Sequence, residues 1–394
     1  MLTPEVITQR RQRQQQALGS DVLRFRELIA KLGSGERTST GLSRTEAQDA
    51  MERLLSGQVA PAQAGAFLIA HRLRRPRPCE MAGMLDAYRL LGPSLPNTGR
   101  RAVSFGTPFD GRCRDAPVLP LTALLLNAAG VAVVLHGGGA MPVKYGATHA
   151  ELLEALGLPL QRQSWARISS LFQEQGLALL HQPRHFPQAE TLIPLRELIG
   201  KRPPIATLEL LWSCCGGPCL QVSGFVHAPT EQLAWNTWTL LEQQEAMTVK
   251  GLEGSVDLPS SRVSIAAHHR LGSPPERLVL QARDHGLRAE EPELTSLAAW
   301  GHQALAGLRC DGPLVKPLIW NGGFYLWRCG QQATLEGGLA QAEDLVRSGA
   351  IDERRQWLQS QLAASPVGIV TGSPGCAPCA FRAPPPPSAP SSRC

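Results

Sequence analysis

The chain has 394 residues, 43% of them hydrophobic, which is material for a large core, and no apolar run of about 18 residues that would make a membrane-spanning helix. Its net charge of +6 is mild for this length and supports solubility without naming a partner. Ten scattered cysteines lack the spacing of a small secreted disulfide scaffold, and the arginine- and glutamine-bearing first residues lack the apolar stretch of a signal peptide, so a cytoplasmic protein with mostly reduced thiols is expected.

Residues 1–20 read as a basic, glutamine-rich extension. From residue 21 to 95 the texture is helical, and glycine and proline punctuation divides it into about four helices. Ser43 and Glu46 have the spacing of a capping box, and Pro61 suits a first helical turn. After a turn-rich loop the pattern becomes strand, helix, strand. Ala102-Val103-Ser104-Phe105 ends at Gly106, a helix follows from Leu119 to Ala129, and 131–135 ends at His136-Gly137-Gly138-Gly139. Such units build parallel sheets with right-handed crossovers, and ligands bind beyond the carboxyl ends of the strands. Further strands are expected at 177–180, 221–226 and 246–249, with a helical close over 336–362. The expected division is therefore a helical domain over 21–95, joined by a later helical segment near 187–211, and an α/β domain over 96–365. The proline- and serine-rich stretch 373–394 has the composition of a disordered tail.

Two tight cysteine clusters occur, Cys214-Cys215-Gly216-Gly217-Pro218-Cys219 and Cys376-Ala377-Pro378-Cys379, and neither has the second pair or histidines that a zinc site needs, so no metal is expected there. Arginines bunch at 72–77, at Arg100 and Arg101, and at Arg112 and Arg114. They read either as a phosphate-attracting surface or as ordinary solvated loop charges.

A helical domain followed by an α/β domain with paired glycine loops resembles glycosyltransferase family 3, and within it the anthranilate phosphoribosyltransferases. The resemblance rests on Leu54 to Val59, Gln63 to Leu68, the Gly106 loop, His136-Gly137, Leu153 to Gly157, and Arg196. It implies an α/β fold of the nucleoside phosphorylase/phosphoribosyltransferase type with a mainly parallel sheet, and a homodimer assembled through the helical domain. It also implies ligand-binding positions at Gly106, Thr107, Asp110, Gly111, His136, Gly137, Lys144 and Arg196, the last being the family's contact to the anthranilate carboxylate.

The same comparison exposes gaps. Active members carry Gly-Thr-Gly-Gly-Asp where this chain has Gly106-Thr107-Pro108-Phe109-Asp110, and the glycines of such loops let a pyrophosphate reach backbone amides. Their Asn-x-Ser-Thr motif falls on Ala116 to Leu121, and their Lys-His-Gly-Asn-Arg is Leu135-His136-Gly137-Gly138-Gly139. Their adjacent Asp-Glu magnesium pair has no counterpart in Lys250 to Asp257, where Glu253 and Asp257 read as solvated loop carboxylates. Asp110-Gly111-Arg112, Leu119-Pro120-Leu121 and Lys250 to Gly254 are closer to a non-classical branch associated with nucleic-acid binding.

No catalytic residue is assigned, and magnesium is expected only if the protein is a phosphoribosyltransferase of tryptophan biosynthesis or a related pathway. The main expectation is a degenerate phosphoribosyl pyrophosphate site that binds nucleic acid or another phosphorylated ligand. Arg100, Arg101, Arg112, Arg114 and Lys144 would form a polyanion-binding cleft edge.

Overall fold

A computed structural model describes residues 3–35 and 38–363; the tail at 373–394, with Cys376, Cys379 and Cys394, lies outside the described residues. The N-terminal extension contains a helix, Pro4–Ala17, capped by Thr3. Four helices follow, Ser20–Gly33, Arg44–Leu55, Pro61–Arg74 and Pro78–Leu91, with Phe25, Met51, Phe67 and Met84 among their buried contacts. The capping box at Ser43 is present: its Oγ accepts from the Glu46 amide at 3.2 Å, and the Glu46 carboxylate accepts from the Ser43 amide at 3.0 Å.

The α/β portion is one sheet whose seven described strands are β1 (Ala102–Gly106), β2 (Ala132–Gly137), β3 (Leu177–His181), β4 (Cys219–Gly224), β5 (Glu245–Val249), β6 (Ser264–Arg270) and β7 (Glu276–Leu280). Their order is β3-β2-β1-β4-β5-β6-β7. The first five run parallel, and β6 and β7 each pair antiparallel with the preceding strand. β1 and β2 are buried along their whole length, as parallel strands covered on both faces must be. The fold class expected from the sequence is the one observed, and the antiparallel β6–β7 edge is an addition that the sequence pattern did not announce.

Strand order reverses direction between β1 and β4, the kind of place where doubly wound sheets bind ligands. The short helices between 182 and 211 lie beside the N-terminal helices. Tyr88 of Pro78–Leu91, Phe186 and Trp212 stack with ring centroids 5.3–5.6 Å apart, which joins the helical lobe to the chain that leads back into β4. Among the described residues no helix is long and apolar enough to cross a membrane.

Candidate functional site

Three loops meet at the carboxyl ends of the parallel strands: residues 107–118 after β1, 138–148 after β2, and 250–258 after β5. The first is pinned to the second by an antiparallel bridge between Arg112 and Ala147. Gly111 makes this possible. It has φ +78°, and a Cβ there would lie 2.5 Å from the carbonyl oxygens of Gly146 and Ala147.

Arg112 then turns inward. It is 5% exposed, and its guanidinium is held on every side. Nε donates to Glu253 at 3.0 Å, Nη1 to Asp257 and to Ser255 Oγ at 2.9 Å each, and Nη2 to the Asp115 carbonyl at 3.0 Å. Glu253 is equally enclosed. Its carboxylate also accepts from the amides of Arg114 and Asp115, at 3.0 and 3.2 Å, and lies 3.5 Å from Lys144 Nζ. Burial opposes its charge, but Arg112 and these amides outweigh burial and hold its carboxyl well below the usual carboxylate range. Two expectations are thereby corrected. Glu253 and Asp257 are buried ion-pair partners rather than solvated loop carboxylates, and Arg112 is an internal cation rather than a surface one.

A second charge cluster lies across the cleft. Arg196, buried, donates through Nη1 to Glu209 at 2.8 Å and approaches Asp110 at 3.6 Å. Asp110 also accepts from Arg202 Nε at 2.9 Å. Burial pushes the Glu209 carboxyl up to about 7, although Arg196 pulls the other way. Arg196 was expected to meet an acceptor carboxylate, and in this structure the chain's own Glu209 and Asp110 supply one.

His136 is buried at the end of β2. Its Nε2 accepts from the Cys214 amide at 3.2 Å and its Nδ1 faces the Phe105 carbonyl at 3.4 Å, while burial pushes its pKa down to about 4, so it is neutral at pH 7. His149, half-buried and with its pKa lowered by desolvation, donates through Nδ1 to the His136 carbonyl at 2.9 Å. The glycines of these loops lie close against protein. A Cβ on Gly106 would strike the Leu210 carbonyl, and one on Gly138 the Met141 side chain. Between Thr107, Phe109, Arg112, Gly137, His149 and Asp257 a cavity of about 10 Å³ remains, room for a single water.

Magnesium does not fit this site, because an ion bound to Asp257 would lie against a guanidinium that already donates to that carboxylate at 2.9 Å. Four buried polar atoms nearby, Thr107 Oγ1, Asp110 Oδ1, Arg196 Nε and Glu209 Oε2, lack a protein partner and are left to water or a ligand.

Of the expected positions, Gly106, Thr107, Asp110, Gly111, His136, Gly137, Lys144 and Arg196 do gather at these loops. Arg100 and Arg101 do not. They precede β1 at its amino end, a strand length of about 16 Å from the cleft loops. There Arg100 donates to the Gln173 carbonyl at 2.7 Å and Arg101 pairs with Glu245. Arg114 is a surface cation, its side chain 74% exposed. His149, Arg202 and Tyr145 carried no motif that would have singled them out.

Comparison with known proteins agrees with the architecture. The helical bundle domain of a glycosyl transferase family matches residues 26–92, and that family's a/b domain matches residues 118–351. An anthranilate phosphoribosyltransferase from Methylobacterium radiotolerans is 30% identical over 341 residues, 83% of this chain and 93% of that protein. One from Moorella thermoacetica is 29% identical over 348 residues, 85% of this chain and 98% of that protein. Among solved structures, anthranilate phosphoribosyltransferase from Saccharomyces cerevisiae in complex with PRPP and Mg has a TM-score of 0.73 at 16% identity, covering 86% of this chain and 98% of that one.

Proposed function

The chain belongs to this glycosyl transferase family, in its anthranilate phosphoribosyltransferase-like group, and from that premise we propose that it binds a phosphate-bearing polyanion, nucleic acid by class, instead of transferring a phosphoribosyl group. The carrying observation is Arg112, whose guanidinium pairs with Glu253 and Asp257, the carboxylates of the loop after β5. Where the fold leaves a cleft for a magnesium–pyrophosphate complex, this chain has an internal salt bridge and a cavity of water size.

The rim of the same loops carries cations that remain accessible. Arg72 reaches the backbone of Arg202, Arg202 reaches Asp110, Lys201 is exposed beside it, and Arg114 stands on the opposite side of the 107–118 loop. Tyr145, 56% exposed, gives this rim one aromatic surface, and base stacking on such a ring tolerates any sequence. Arg114 and Lys144 stay in the expected polyanion edge, and Arg72, Lys201 and Arg202 take the place of Arg100, Arg101 and Arg112 in it. A homodimer through the helical lobe belongs to the same proposal, and the exposed Leu73 and Leu90 on its helices supply apolar surface for it. Sedimentation of the full chain as a monomer at micromolar concentration would remove that part.

Titrating single-stranded and duplex DNA and RNA at several salt concentrations tests the proposal. Binding should weaken steeply with salt, by about 0.9 in log–log slope for each duplex phosphate contact, and depend little on base sequence. Replacing both Arg114 and Lys201 with alanine should flatten the slope by about two units if each makes one contact. Absence of binding at low salt would reject it.

One set of observations favours a different reading, a working phosphoribosyltransferase. The similar proteins are named anthranilate phosphoribosyltransferases, the chain spans nearly their whole length, and the unpartnered atoms of Thr107, Arg196 and Glu209 leave hydrogen-bonding capacity for a small ligand. Purified protein that forms phosphoribosyl anthranilate from anthranilate, phosphoribosyl pyrophosphate and magnesium would establish this reading over the first. Calorimetry with the same ligands separates binding from turnover.

A further inference from the structure

The turn Trp212 to Pro218 is one of the connectors between the helical lobe and the sheet, and it carries Cys214 and Cys215, with Cys219 following as the first residue of β4. It is packed rather than loose. The Leu95 amide donates to the Cys214 carbonyl at 2.7 Å, a Cβ on Gly216 would strike the Leu95 carbonyl, and one on Gly217 would lie 2.5 Å from Asn97 Oδ1. The Cys215 amide donates to Ser213 Oγ at 3.2 Å, and Ser213 donates to Ser104 at 2.8 Å. Beside this turn lies a cavity of about 200 Å³, walled by Arg89 of the helical lobe, Ser94, Cys215, Cys219, Gln221 and Gln243. Cys215 and Cys219 both line this space, which is large enough for a small molecule.

We propose that Cys215 and Cys219 form a reversible oxidation site that takes hydroperoxides and closes to a disulfide at the junction of the two lobes. The Cys215 thiolate attacks one peroxide oxygen, the O–O bond breaks, and the departing oxygen takes a proton and leaves as water or an alcohol. Cys215 is then a sulfenic acid. The Cys219 sulfur attacks the Cys215 sulfur, the S–O bond breaks, and the hydroxide leaves with the Cys219 proton as water. Two thiols lose two electrons and two protons in total, and the hydroperoxide is reduced. The pair has the required asymmetry: the neighbouring Cys219 draws the Cys215 thiol below the usual range, while Cys219 and the buried Cys214 are held well above it. The product would staple the connector to the first residue of β4, two strands over from the β2 that carries His136, whose ring bonds the Cys214 amide.

Peptide mapping of the full-length protein tests this without any variant. At pH 7 in iodoacetamide, Cys215 should alkylate on the order of tenfold faster than Cys113, which is more exposed but has a raised thiol pKa. After hydrogen peroxide and quenching, the peptide containing both residues should lose two hydrogens and resist alkylation until reduced. In Cys219→Ala the disulfide cannot form, so a sulfenic acid trapped by dimedone should accumulate at Cys215, and the pH midpoint of its alkylation should rise. Alkylation of Cys215 no faster than Cys113, or a peptide that stays reduced while other cysteines oxidise, would overturn the proposal.

Discussion

Arg112 meets the charges of Glu253 and Asp257 at once, in a place where neither carboxylate could stay ionised alone without a large desolvation penalty. Glu253 adopts φ 53°, in the left-handed region, a conformation that costs a non-glycine residue about 1–3 kcal/mol and persists here because the surrounding amides fix it. Replacing Arg112 with alanine should destabilise the protein by about 3–5 kcal/mol at pH 7, measured by urea unfolding, because two buried charges lose their partner. The sign with pH follows from the depressed Glu253 pKa. Its stabilising contribution is present above the ordinary carboxylate pKa and is lost as pH falls through the folded value, so the gap between wild type and Arg112→Ala should narrow in acid. Glu209 behaves oppositely. Its folded pKa is raised to about 7, so its contribution is full below the ordinary value near 4.3 and declines as pH rises to about 7. Glu209→Gln should therefore flatten the pH dependence of stability between about pH 4 and 7, and an unchanged profile would show that Arg196 compensates its charge fully.

The element that organises the site is the 107–118 loop. Its residues were legible as the counterpart of the family's phosphate loop, with Pro108 and Phe109 standing where that loop has glycines. What it does instead depends on the Arg112–Ala147 bridge, which the positive φ of Gly111 permits. Gly111→Ala should cost at least about 2 kcal/mol by thermal or urea unfolding, the sum of left-handed strain and a collision with the 146–147 backbone. Because this bridge aims Arg112, the same substitution should also expose Glu253 to titration nearer the usual carboxylate range, which the pH profile of unfolding would register. The capping box at Ser43 and the all-buried β1 and β2 needed no such long-range information, since local spacing specifies a cap and a continuous apolar run specifies a covered strand.

At the scale of the molecule, the helical lobe supplies one side of the cleft and the sheet the other, and Arg202 and Arg196 tie the 193–211 segment to Asp110 in the loop after β1. A ligand that binds only the folded chain raises its unfolding midpoint by mass action. Magnesium with phosphoribosyl pyrophosphate should therefore leave the thermal midpoint unchanged, while single-stranded nucleic acid at low salt should raise it, and at higher salt the rise should vanish. A midpoint raised by the magnesium complex and unmoved by nucleic acid would favour the transferase reading.

The alternation of apolar runs and amphipathic segments, together with glycines at strand ends, determined the two-part architecture, the parallel strands and the loops that meet at their carboxyl ends. These are local properties, set by backbone period and by which residues tolerate a turn. Loss of the phosphate-loop glycines was equally readable. Which charges are met was decided by tertiary structure alone, because Arg112 lies 141 residues from Glu253 and 145 from Asp257 in the chain. Ion pairing depends on distance in space and on exclusion of water, and both arise only when the sheet brings the loops after β1 and β5 together.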